Sequence, residues 1–172
     1  MADQFWVFVC YSFLGWMLER AFAAVSGAPR SPRRCLLVLP LCPVYGLGMT
    51  ALLALPASMR TGLWLPVAGA LVTTAVEYVY HWACEALFGV RFWDYTGVWG
   101  NVNGRVCLPF SLAWGVLAAL GLWGLHPALA ALTARIPPLV TYWALLFFTV
   151  DAVCSCRILA VTHSLAALRG GG

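Results

Sequence analysis

Apolar runs of about 20 residues recur along this chain, each long enough to cross the ~30 Å hydrocarbon core of a bilayer. They fall at roughly 4–25, 43–59, 62–89, 109–125 and 139–162. The sequence is 63% hydrophobic and only 9% charged, where ordinary soluble domains carry about 25% charged residues. A soluble sphere of 172 residues cannot hide that much apolar surface. A β-barrel would instead show ~10-residue segments of alternating polarity. The reading is an all-α fold: a polytopic transmembrane helical bundle of about five spans, one domain over residues 1–172.

The start, "MADQFWVFVCYSFLGWMLERAF", has no basic n-region and carries Glu19 and Arg20 late in the run. It reads as a span and not as a signal peptide. Every basic residue is arginine. Without lysine the chain has neither a P-loop lysine nor a Schiff-base lysine, so it is not itself a Walker-type ATPase. The net charge of +4 is small and dispersed, which argues against nucleic acid and for loop charge that sets topology. No cofactor is expected. The seven cysteines form no CxxC pair and no zinc knuckle, and they read as small apolar packers.

Pro40 and Pro43 interrupt the approach to the second span, while Gly46 and Gly48 permit close packing there. That approach is expected to be irregular or re-entrant. The third span would reach about 42 Å and has to tilt or protrude. "HPALAALTARIPP" (126–138) reads as a short amphipathic bridge. Arg30, Arg33 and Arg34 follow span 1, Arg91 and Arg105 follow span 3, and Arg169 lies in the tail, whereas the other side has only Arg60 and Arg135. The positive-inside rule then puts the N-terminus outside, the C-terminus in the cytoplasm and a structured aromatic and polar loop, 90–108, on the cytoplasmic face of the plasma membrane.

A carboxylate in the bilayer core costs at least ~2.5–3.5 kcal/mol on insertion scales. Glu19, Glu77, Glu85 and Asp151 nevertheless fall within spans, and Asp94, Asn101, Asn103 and Arg105 lie in the polar loop. These eight residues are the candidate pocket, open to the cytoplasm, with Arg105 supplying positive charge. The plain alternative pairs the acids with Arg20, Arg91, Arg105 and Arg157 to lock the bundle. Span 3 reads E77-x3-H81-x3-E85 along one face. Glu77 and Glu85 stand about 12 Å apart on the helix axis, too far to share an ion, so Glu77, His81 and Glu85 are weak metal candidates. A His81 that hydrogen-bonds a neighbouring glutamate is the simpler expectation. Phe92, Trp93, Tyr95 and Trp99 fit an interfacial aromatic belt.

Four strings resemble one family: "FLGWMLE" (13–19), "PLCPVYGLG" (40–48), "EYVYHWACEALFGVRFWDYTG" (77–97) and "NVNGRVCLPFSLAWG" (101–115). Together they are similar to the ABC-transporter type IV permease family, also called CmpB-type, whose bacterial members are small multi-span proteins. The resemblance covers residues about 10–115, plus Asp151. It implies functional weight at Glu19, Glu77, Glu85, Asp94, Asn103 and Arg105. His81 departs from the small polar residue expected there in relatives. The family label implies transport, and since five spans make a thin wall around a pathway, the size argues for a second copy of the chain or a partner membrane or ATPase subunit.

Three functions follow. The first is a transporter or permease subunit that binds a small polar or ionic solute in the acidic pocket. The second is an integral-membrane enzyme acting on a lipid or amphiphile, with Glu19, Glu85 or Asp94 as general acid/base and Arg105 and Asn103 holding a headgroup. The third is a structural or regulatory membrane protein whose polar cluster fixes helix register.

Overall fold

A computed structural model of the chain describes residues 2–25 and 35–169. Arg30, Arg33 and Arg34, which carry much of the topology reading, lie outside the described residues. Helix α1 spans Ala2–Val25. A short α2, Pro43–Leu53, and a 3-10 turn, Ala57–Arg60, lead to α3, Trp64–Phe88. The loop that follows holds a small hairpin, β1 Asn101–Val102 against β2 Val106–Cys107. The remaining helices are α4 Leu108–Leu120, a π-helical turn Gly121–Leu125, α5 His126–Thr133 and α6 Pro138–Thr162. Prolines open α2, α4, α5 and α6 within the first two positions, where their missing N–H costs nothing. Gly89 ends α3 in the left-handed conformation.

Three stretches are long and apolar enough to cross a membrane: Ala2–Val25, Leu108–Thr133 and Pro138–Thr162. Helix α3 matches them in length at 25 residues, with Glu77, His81 and Glu85 lowering its apolarity. Trp6 donates to Thr141 Oγ1 at 3.0 Å, joining the starts of α1 and α6. At the other end, His163 Nδ1 meets the Phe88 carbonyl at 2.7 Å, joining the ends of α6 and α3. So α1, α3 and α6 run in parallel, and α2 and α4–α5 run back between them.

The expected elements need four corrections. The second apolar segment is not helical over 43–59: α2 stops at Leu53 and rises only about 16 Å, half a bilayer core. The stretch 126–138 is not a separate bridge, because α5 continues α4 through the π turn. In that turn carbonyls bond five residues ahead, which carries the helix past Pro127, a residue with no N–H. The loop adds a strand pair to an otherwise helical chain. Finally, Cys35 and Cys42 form a disulfide with Cα atoms 5.1 Å apart and are not merely packers.

The irregular approach to α2 lies against the middle of α1, since Cys42 N–H donates to the Ser12 carbonyl at 2.9 Å. An irregular backbone at that depth has to find partners inside the protein. Val38 and Leu39 N–H reach the two carboxylate oxygens of Asp151 at 3.2 and 3.3 Å. Leu41 N–H turns back on the Leu39 carbonyl at 2.7 Å. Pro40 has no N–H to satisfy. Every amide from Val38 to Cys42 is therefore placed.

Glycines set the helix spacing. A Cβ on Gly15 would overlap the Tyr45 ring, and one on Gly46 would overlap Phe8 and Ser12 of α1. On the α3–α4 side, a Cβ on Gly115 would lie 2.5 Å from the Pro66 carbonyl and 2.9 Å from Ala70 Cβ. Small residues at these crossings let backbones approach. Tyr11, Met49, Leu52, Leu65, Ala118 and Ala119 then form a core shared by α1–α4. A second core joins the end of α3, the loop and α6 through Cys84, Phe92 and Leu159. Replacing Asp151 by Ala leaves two amides without an acceptor, at about 1–3 kcal/mol for each buried one. The expected result is a lower thermal midpoint in detergent and earlier protease cleavage around residue 38, relative to Asp151→Asn.

Candidate functional site

The loop builds itself first. Asn103 and Gly104 have φ of 55° and 68°, the left-handed pair a tight hairpin turn requires, and Arg105 N–H closes it on the Val102 carbonyl at 3.0 Å. Gly104 packs under Asp94 and Thr96, with no room for a Cβ. Tyr95 N–H donates to the Gly104 carbonyl at 2.8 Å, and Trp93 Nε1 to the Arg105 carbonyl at 2.8 Å. The "WDYTG" and "NGR" strings are thus two sides of one packed unit. Asp94 accepts from Thr96 N–H at 2.8 Å and from the Thr96 hydroxyl. These bonds hold its carboxyl below the usual aspartate range, the hydroxyl contributing most. Asn101 Oδ1 accepts from Gly104 N–H at 3.2 Å, and its amide donates to the Val98 carbonyl at 2.9 Å.

This unit clasps the end of α3. Arg105 Nη2 and Nε donate to Glu85 Oε2 at 2.9 and 3.3 Å, while Arg91 Nε donates to Glu85 Oε1 at 2.7 Å. Arg105 Nη1 and Asn103 Nδ2 both donate to the Tyr78 hydroxyl, at 3.1 and 2.9 Å. The guanidinium lies 5.3 Å from the Tyr78 ring centroid. Its hydrogen bonds to Glu85 hold Arg105 still more firmly in its charged form. His81, 1% exposed, donates from Nε2 to the Trp93 carbonyl at 2.9 Å. Its Nδ1 stands 4.0 Å from Glu85, beyond hydrogen-bond range, so the expected histidine–glutamate bond is replaced by a bond to the loop. Among the described residues no cluster of three His, Cys, Asp or Glu could hold a metal.

Two carboxylates lie deeper. Glu77, 2% exposed, accepts from Tyr95 OH at 3.1 Å on one oxygen and from Trp114 Nε1 at 2.9 Å on the other. Glu19, also buried, accepts from Tyr45 OH at 2.6 Å. The Tyr45 and Trp114 rings meet edge to face, with centroids 5.2 Å apart. Each ring of this pair holds one of the two acids.

Glu77 also lines a cavity of about 540 Å³ between α1, α2, α3 and α4, within the size range of ligand pockets. Tyr45, Trp114, Tyr11 and Thr73 contribute to an otherwise aliphatic wall. The rim residues Met17, Leu18, Leu117 and Leu120 are exposed, so the mouth opens sideways between α1 and α4. Phe22 against Phe110 closes the loop end of this window, with centroids 6.3 Å apart. At the far end Tyr11 stacks on His126, and its hydroxyl donates to the Gly121 carbonyl of the π turn at 3.0 Å.

The eight candidates do not meet in one pocket. Glu77 reaches the cavity, and Glu19 touches its wall through Tyr45. Glu85, Asn103 and Arg105 form the clasp, Asp94 and Asn101 hold the loop turns, and Asp151 carries the approach to α2. Sequence reasoning missed Tyr45, Tyr95 and Trp114. The glycines that make room for an aromatic side chain, Gly15 above all, were the signal for Tyr45.

A family model described as Putative ABC-transporter type IV matches residues 6–158. The chain belongs to this family. Neither a curated protein nor a solved structure matches it. The matched range contains every candidate residue of this type IV member, from Glu19 to Asp151. Its apolar helices and its family together fit a membrane protein of transporter type.

The depressed Asp94 carboxyl carries a stability term with a definite sign. That term is complete above the ordinary aspartate value of about 3.9 and disappears as pH falls through the lower folded value. The thermal midpoint of the wild type should exceed that of Asp94→Asn at neutral pH, and the gap should close on acidification below about pH 4.

Proposed function

We propose that this type IV member is a membrane transporter subunit whose ligand is an amphiphile taken from the bilayer through the α1–α4 window. The observation that carries this reading is the cavity: mostly aliphatic, open toward lipid, and ending on one buried carboxylate, Glu77. The solute suggested by the acids alone, small and polar, fits such a wall poorly. The enzymatic alternative needs a carboxyl at the loop face available for proton exchange. Glu85 is committed to two arginines and Asp94 to Thr96, which leaves that alternative with Glu19 alone, bonded to Tyr45. Arg105 and Asn103, once candidates for a headgroup, are engaged with Glu85 and Tyr78. The register-fixing role describes those residues and Asp151 well, but leaves the cavity without a purpose.

In this proposal the chain crosses the membrane five times, the second crossing being made jointly by the segment before α2 and α2 itself. A partner ATPase or a second copy supplies whatever energy coupling the chain lacks. The arginine distribution supports a plasma-membrane chain with its C-terminus in the cytoplasm. A C-terminal tag should therefore be cleaved in inside-out vesicles only. A tag cut only from outside reverses the orientation.

Transport itself is measured in vesicles carrying a fluorescent amphiphile that a membrane-impermeant reductant bleaches in the outer leaflet. The wild type should speed redistribution between leaflets, and Leu117→Trp, which fills the mouth, should return the rate to that of empty vesicles. Equal rates with and without the wild type would sink the reading.

A further inference from the structure

We infer that the amphiphile carries an anionic oxygen head, a phosphate or a carboxylate, seated between Arg60 and His126 at the far end of the cavity. This inference rests on the cavity being the binding site, and it adds the charge and the place of the head.

Arg60 is a cation without a counter-charge. It ends the 3-10 turn Ala57–Arg60, shortly before α3. Its Nε is buried and has no hydrogen-bond partner among the described residues. No carboxylate forms an ion pair with it there, whereas Arg91 and Arg105 at the opposite end both hold Glu85. His126 Nδ1 is likewise buried without a partner, and the Arg60 charge acts on the His126 ring. Two basic side chains within electrostatic reach of each other, each with an unsatisfied buried nitrogen, are costly beside an apolar layer. An anionic oxygen group offsets that cost, because it accepts from guanidinium and imidazole together.

The pair adjoins the cavity. His126 follows Leu125 of the wall and stacks on Tyr11 of the wall, with ring centroids 6.3 Å apart. Leu55, shortly before Arg60, and Leu129, about one turn beyond His126, pack on the same core as Tyr11. Leu63 and Trp64, next along the chain from Arg60, are 91% and 69% exposed. That places Arg60 at the rim of the apolar layer, the level at which tryptophans gather and long basic side chains reach lipid headgroups. Glu77 stands about 20 Å further along α3 than Trp64, so the head and that carboxylate occupy different levels. A head held at the rim lets the tail run along the aliphatic wall from Leu125 toward Leu14 and Leu18.

Dodecyl phosphate, dodecyltrimethylammonium and inorganic phosphate separate the charge, the tail and the free ion. Each is titrated, below its micellar concentration, into the purified full chain in neutral maltoside micelles. Binding is followed by calorimetry and by the thermal midpoint. The expected result is saturable dodecyl phosphate binding, tighter than dodecyltrimethylammonium binding by about tenfold or more. Inorganic phosphate should leave the midpoint unmoved. Arg60→Gln should bring the two amphiphiles level, His126→Gln should narrow the gap, and Leu117→Trp should abolish the binding of both. A phosphate preference that survives Arg60→Gln and His126→Gln overturns the head site and leaves the amphiphile cavity standing. Equal or reversed preference in the wild type overturns the sign of the head. Inorganic phosphate bound through Arg60 and indifferent to Leu117→Trp overturns the link between head and cavity. Binding of neither amphiphile to the wild type overturns this inference and the cavity reading together. If Arg60→Gln does not fold, His126→Gln and the wild-type preference decide the matter.

Discussion

The backbone amides between α1 and α2 impose the strictest condition on this molecule. In water a chain can break a helix anywhere and let solvent take the loose N–H groups. Within an apolar medium it cannot. The half-length α2 exists because Asp151 takes two amides, Ser12 takes a third and a local turn takes a fourth. With its start held at the middle of α1, α2 puts Tyr45 into the notch left by Gly15. Tyr45 in turn meets Glu19 and Trp114, and Trp114 meets Glu77. The cavity wall is thus the last link of a sequence of contacts that begins with an acid on the most distant helix.

The acids of this chain divide by what they hold. Asp151 binds backbone, Glu85 binds two arginines, Asp94 binds its own turn, and Glu19 and Glu77 bind aromatic hydroxyl and indole groups. Each of them has partners that help to account for a carboxylate in or beside an apolar layer. Glu77 differs because it is both nearly inaccessible and a wall of an open cavity. That combination separates it from the others more sharply than its position along the helix does.

Much of this was legible before any coordinates. Membrane character followed from run length, and the broken approach to the second segment followed from Pro40 and Pro43. The polar loop announced itself through residues too expensive for a connector. The partition of the acids was not legible, because which carboxylate meets which donor depends on helix rotation, and charge alone carries no rotational information. The pairing of Cys35 with Cys42 was hidden for a similar reason. Seven residues apart on a regular helix they would stand about 10 Å from each other along the axis, and only the irregular path brings them together. The end of α2 at Leu53 was invisible because the apolar run continues past it.

The π turn at Gly121–Leu125 has a consequence for the rod formed by α4 and α5. One such turn amounts to a single residue added to a regular helix, which rotates everything beyond it by about 100°. The upper part of the rod is phased to pack Gly115 and Ala118 against α3, whereas the lower part is phased to meet α1 at His126. The widened turn sets the rotation of His126 where it stacks on Tyr11, and the Gly121 carbonyl within it, already bonded to Tyr11, ties that level of the rod to α1.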